Sequence, residues 1–108
     1  MNTRLFEKQA EIAKAIAHPV RVAVLDFLKT GEQCVCDIAA AVDTERSNLS
    51  KHLSVMVHSG VLTSRKEGLK VFYKIKTPCV LKFLGCIKDC LKEQVAEQQE
   101  LLDALELS

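Results

Sequence analysis

A mainly α-helical fold with one small β-hairpin is what this sequence predicts, and three observations carry the prediction. Apolar residues recur at helical spacing through most of the chain. A single stretch, residues 61–76, alternates in the manner of paired strands around a Gly turn. The 108 residues, 48% apolar and 27% charged, suit one folded domain rather than a disordered or membrane-spanning chain. No apolar run approaches the ~18 residues of a bilayer-spanning helix. The opening MNTRLFEKQAEIAK mixes acids and bases where an export signal is unbrokenly apolar, so a cytoplasmic protein is expected. Absent Trp and only 5% aromatics leave no stacking platform for single-stranded nucleic acid.

The elements follow in order. Leu5, Ile12 and Ile16 predict an amphipathic helix over 3–17. Pro19 suits a first helical position, since no N–H is needed there, and the dense set Val22, Val24, Leu25, Phe27 and Leu28 predicts a buried helix ending at Thr30-Gly31. Cys34-Val35-Cys36 reads as a short extended piece. Cys36 then stands as N-cap of a brief helix, residues 37–42. After the break at Asp43-Thr44-Glu45, with Thr44 or Glu45 as cap, a helix is expected from Arg46 to His58. Leu49, Leu53 and Val57 face its core side. Ser47, Asn48, Ser50, Lys51, His52 and Ser54 are expected to face away. The hairpin pairs 61–66 with 69–75 around a Glu67-Gly68 turn, and Thr77-Pro78 opens a long last helix. One domain, 1–108, is expected.

Two short helices joined by a tight turn, the second polar on its outer face, followed by a basic hairpin, give the order of a winged helix-turn-helix, with 34–58 as the helix-turn-helix and 61–76 as the wing. Charge agrees. The net is only +1, yet from Asp43 to Lys76 seven bases face three acids, whereas from Glu93 to Ser108 there are five acids and no base. One face therefore suits a polyanion. Arg46, Ser47, Asn48, Ser50, Lys51 and His52 are the candidates for base edges and phosphates, and Arg65, Lys66 and Lys70 for the neighbouring backbone or minor groove. A merely solvated helix face is the plain alternative for Ser47–Lys51. His58 suits the end of its helix as a structural cation, and His18 a capping or packing role.

Five cysteines without an export signal point to metal binding or redox sensing rather than a disulfide scaffold. Cys34 and Cys36, at i and i+2 of extended chain, can offer both sulfurs to one soft ion, at a helix start that favours thiolate. Two sulfurs are too few for three-coordinate arsenic or four-coordinate zinc. Cys79, Cys86 and Cys90 are the candidates to complete a set. On an ideal helix they fall within about 20° of one line, Cys86 and Cys90 roughly 6 Å apart, Cys79 roughly 10 Å below Cys86. Three arrangements stay open: Cys34 and Cys36 borrowing a C-terminal cysteine, within or across subunits; a separate site at Cys86 and Cys90, closed by Cys79; or Cys34-Cys36 with a thiol from solution. Buried cysteine as a small apolar residue is the plain alternative. The last helix carries more apolar surface than a small domain can cover. With the stripe on the first helix it predicts a two-fold dimer through 1–17 and 78–108, hence a palindromic DNA site.

His18-Pro19-Val20-Arg21-Val22-Ala23-Val24-Leu25, the run Asn48-Leu49-Ser50-Lys51-His52-Leu53 with His58-Ser59-Gly60-Val61-Leu62, and the wing from Arg65 to Tyr73 together resemble the ArsR/SmtB family of metal-responsive repressors over residues 12–80. The resemblance implies a cytoplasmic homodimer that holds double-stranded operator DNA until an inducer binds, with no organic cofactor and no enzyme activity. Cys34-Val35-Cys36-Asp37-Ile38 is similar to the family segment that binds As(III) or Sb(III), and in a sister branch Cd(II) or Pb(II). Zn(II) is a further candidate. The chain departs from these branches at Ala39, where the arsenic branch often has a third cysteine, and in residues 1–33, which hold none. The Asp/His zinc set of the last helix is missing, and Glu45 stands where the family usually has a small cap. Thiol oxidation or persulfidation in the same fold is a second reading, and a DNA-binding module without a ligand another. A thiol enzyme is disfavoured by the lack of any Cys-x-x-Cys.

Overall fold

The computed structural model describes residues 1–108, with the order α1 (Thr3–Ile16), α2 (Pro19–Leu28), β1 (Gln33–Cys34), α3 (Val35–Ala41), α4 (Arg46–His58), β2 (Leu62–Glu67), β3 (Lys70–Ile75) and α5 (Cys79–Leu107). Contacts divide the chain into two units, Met1–Pro78 and Cys79–Ser108. The first is a winged helix-turn-helix.

Local chemistry sets its boundaries. The Asn2 side chain caps α1 by accepting from the Leu5 N–H at 3.0 Å, and His18 Nδ1 caps α2 by accepting from the Val20 N–H at 3.1 Å. At the end of α4, Gly60 at φ +85° takes the left-handed turn. Its N–H reaches the Val57 carbonyl, and the Val61 N–H reaches back to Met56. These two bonds satisfy orphan carbonyls and bring Val61 onto Met56, both fully buried. The Thr77 hydroxyl donates to the Gly60 carbonyl at 2.9 Å, tying the foot of the hairpin to the same turn.

The core is wholly apolar. Val24, Leu25 and Leu28 of α2, Ile38 of α3, and Leu49, Leu53 and Met56 of α4 meet Val61 and Leu62, and no buried side-chain N or O lacks a partner. The three faces of α2, α3 and α4 thus fix the attitude of α4.

Strand order is β1-β3-β2, all antiparallel. The sequence predicts a short extended piece over Cys34-Val35-Cys36. Only Gln33 and Cys34 are strand, and they pair with Tyr73 and Phe72. The helix begins two residues early, at Val35, and its N-cap is Cys34, not Cys36. The hairpin turn also shifts by one, to Gly68-Leu69, with Glu67 opposite Lys70.

The second unit is one helix of 29 residues, α5, roughly 43 Å long. Phe83, Ile87, Leu91, Val95, Leu101, Leu102 and Leu105 are exposed on it.

Candidate functional site: a basic helix and wing with a thiol pair on the wing sheet

Leu49, Leu53 and Met56 lock one face of α4 into the core, and the opposite face holds Arg46, Ser47, Asn48, Ser50 and Lys51 exposed. Ser50, Lys51 and Ser54 also line a cleft of about 1110 Å³ together with Lys8, Glu11, Lys14 and Arg21. Glu45, the N-cap of α4, makes no side-chain capping bond, so its side chain satisfies none of the first N–H groups of α4.

His52 does not face outward as expected. It is half-buried, its Nδ1 accepts from Arg21 Nε at 3.0 Å, and its ring lies 4.3 Å from that of His18. Burial, together with the positive environment of His18 and Arg21, pulls its pKa below the usual 6.5. Arg21 also donates to the Lys14 and Ala15 carbonyls, so one guanidinium ties the end of α1 and α2 to α4. The signal was present in the sequence: Leu49, His52, Leu53 and Met56 form an i, i+3, i+4, i+7 stripe, which places His52 at the margin of the buried face.

The wing divides its cations. Lys66 and Lys70 are exposed and take part in no ion pair. Arg65 is also exposed, but its guanidinium is engaged in ion pairs on the sheet surface. It grips Glu32 in a fork, with contacts of 2.6 and 2.9 Å, and reaches Glu67 at 2.8 Å. Its guanidinium stacks over the Phe72 ring at 4.6 Å. The Arg65 fork holds the Glu32 carboxyl below its ordinary range. Nothing in the local sequence joins Glu32 to Arg65. Only the pairing of β1 with β3 brings them together.

Cys34 is buried and Cys36 exposed. Cys34 Sγ accepts from the Cys36 N–H at 3.4 Å. That N–H, followed by the neighbouring Cys36 thiol, draws the Cys34 pKa downward against burial and the Asp37 charge. The two thiols are therefore adjacent, through a turn of helix rather than along extended chain. Cys34 stands opposite Phe72, and Phe72 opposite Arg65. One row across the sheet thus runs from a thiol to the braced guanidinium of the wing. No group of three or more His, Cys, Asp or Glu side chains is placed to hold a metal ion. Cys79, Cys86 and Cys90 are exposed, free thiols on α5, spaced seven and four residues apart.

A buried-backed helix offering Ser, Asn, Lys and Arg beside a basic two-stranded wing defines a winged helix-turn-helix DNA-binding regulator. The arsR family of bacterial regulatory proteins matches residues 18–64. An uncharacterized HTH-type transcriptional regulator of Methanocaldococcus jannaschii, MJ1325, is 38% identical over 71 residues, 65% of this chain and 80% of that one. The arsenical resistance operon repressor of Escherichia coli is 35% identical over 66 residues, 60% of this chain and 56% of that one. Among solved structures, the homodimeric winged helix-turn-helix DNA-binding domain of Mb0332 from Mycobacterium bovis superposes with a TM-score of 0.76 at 26% identity, covering 88% of each chain. The chain belongs to the ArsR family of transcriptional regulators, and it is not an enzyme. No helix is long and apolar enough to cross a membrane.

Proposed function

We propose that the protein is a homodimeric repressor that grips a palindromic operator and lets go when trivalent arsenic or antimony is captured by Cys34 and Cys36. The observation that carries this reading is the thiol pair itself: the acidified, buried sulfur of Cys34, at the end of a strand paired with the wing, beside the exposed Cys36 in the first turn of α3. The exposed Cys36 is the point of entry, and Cys34, already drawn toward thiolate, is the second ligand. Arsenous acid exchanges its three hydroxyls for the sulfurs of three thiols, whose three protons leave with the hydroxyls as three waters. Two come from this pair, and the third is a small thiol of the solution.

Capture pulls Cys34 Sγ off the Cys36 N–H, and that strains both the first turn of α3 and the β1–β3 pairing. The first effect tilts the helix-turn-helix. The second displaces Phe72 and, through it, Arg65. A coupling of only ~1.4 kcal/mol lowers DNA affinity tenfold, well within reach of thiolate ligation. On DNA, Arg46, Ser47, Asn48, Ser50 and Lys51 read the major groove, and Lys66 and Lys70 neutralise phosphates. The exposed apolar residues of α1 and α5 form the dimer contact, as the Mycobacterium bovis domain's homodimeric state supports. Arg65 serves as a brace rather than a phosphate contact, and His52 as a strut between α4 and α2.

Native mass spectrometry after arsenite and a small thiol tests the capture step. One arsenic per chain is expected, retained in the Cys79→Ser/Cys86→Ser/Cys90→Ser protein and lost in Cys34→Ser and Cys36→Ser. Arsenic that follows the C-terminal cysteines instead would overturn it. Cd(II), Pb(II) and Zn(II) are the comparison ions. A second reading, release by thiol oxidation or persulfidation, is favoured by the exposed Cys36 beside Cys34, whose sulfur accepts the Cys36 N–H. It predicts release by peroxide or polysulfide with arsenite inert.

A further inference from the structure

We infer that Leu69, at the tip of the wing, is an apolar wedge that contacts base edges in the minor groove of the bound duplex. The inference rests on the DNA-binding reading above and adds a residue outside its candidate set. Leu69 is 101% exposed, so none of its side chain is covered by the protein. The other exposed apolar residues of the first unit away from the chain terminus, Leu5, Phe6, Ile12, Val22 and Val55, lie on helix faces at 38–51%. Single exposed leucines are ordinary on protein surfaces, but this one occupies the outermost point of a rigid ribbon.

The turn fixes where the side chain goes. Glu67 pairs with Lys70, leaving Gly68 and Leu69 as a two-residue loop. Gly68 takes φ +62°, and no other residue type in the chain has positive φ, so Gly fills the left-handed place and Leu69 the second one. Such a loop is the shortest and stiffest hairpin connection. A polar residue would be at ease there, and leucine gains nothing from water.

Charge around the tip supplies the partner. Lys66 and Lys70 flank the turn without ion pairs. Side chains alternate along a strand, and Lys70 shares the face of its cross-strand neighbour Glu67, so the two lysines project from opposite faces of the ribbon. The one acid at the tip, Glu67, is drawn back by Arg65 at 2.8 Å. An apolar point with one cation on either side fits a groove ~6 Å wide walled by phosphates, where apolar side chains commonly wedge between base steps. An apolar protein groove would have no use for the paired lysines.

The test uses the full-length protein and a duplex selected by it from a random 30-base-pair pool, labelled with fluorescein and carrying 2-aminopurine at successive positions. Wild type is expected to bind and to brighten 2-aminopurine at one step per half-site, as unstacking does. Leu69→Ala is expected to bind about tenfold more weakly, with the salt slope unchanged and the brightening gone. Leu69→Met keeps both. Wild-type affinity and brightening in Leu69→Ala would overturn the wedge alone. Failure of wild type to select any duplex would overturn the DNA-binding reading beneath it.

Discussion

Two side chains, His52 and Arg65, hold the reading elements in place, the first half-buried against Arg21 and the second at the surface through its fork to Glu32. His52 sits below its ordinary pKa because its charged form would be desolvated and repelled by His18 and Arg21. The unfolded chain therefore binds the proton more readily than the native one. Stability is full above pH ~6.5 and falls as pH drops through that value toward the lower native pKa. His52→Gln, whose amide oxygen can still accept from Arg21, is expected to flatten thermal stability between about pH 7.5 and 5.5, where wild type declines. Glu32 works in the opposite sense of charge with the same direction in pH. Its lowered pKa stabilises above ~4.5, and that contribution is lost as the carboxylate protonates in the native state. Arg65→Lys keeps the charge but loses the fork. It should lower the melting temperature while leaving the salt dependence of DNA binding unchanged, whereas Lys66→Ala and Lys70→Ala should each reduce that slope by about 1.

At the scale of elements, α4 is seated by its buried face and left poorly finished at its start. Glu45 provides no capping bond, so Glu45→Ser is expected to stabilise the protein by about 1 kcal/mol, read as a higher melting temperature. Leu53→Ala, at a fully buried position, should cost about 2–5 kcal/mol in chemical denaturation. The period of apolar residues made α4 legible from Arg46 to His58, and the Gly60 turn marked its end. The place of β1 was not legible, since two residues cannot show alternation. Their strand character comes from partners Tyr73 and Phe72, 40 and 38 residues on. The helix start at Val35 was hidden for a related reason: Cys is an unusual N-cap, and its sulfur does the work an oxygen normally does. So the adjacency of Cys34 and Cys36 could be expected, but not its link to the wing.

Over the whole molecule, the near-neutral total conceals a basic reading unit followed by an acidic end of α5. The negative charge of residues 93–106 disfavours phosphate, in keeping with the proposed DNA contact by the first unit. The apolar excess of α5 was plain in the sequence, and its exposure accords with a surface meant for a second copy. Ile87→Glu/Leu91→Glu should convert a dimer to a monomer in sedimentation, with helix content retained and operator affinity sharply reduced. What the sequence could not rank was its two groups of thiols, because spacing along one helix and neighbours across a sheet are different kinds of proximity. The most direct test of the central claim is arsenite titration of the preformed complex with the selected duplex, followed by fluorescence anisotropy in the presence of a small thiol. The account predicts at least tenfold loss of affinity for wild type and none for Cys34→Ser/Cys36→Ser. Unchanged wild-type affinity at saturating arsenite and antimonite, or equal release of the double variant, would contradict it.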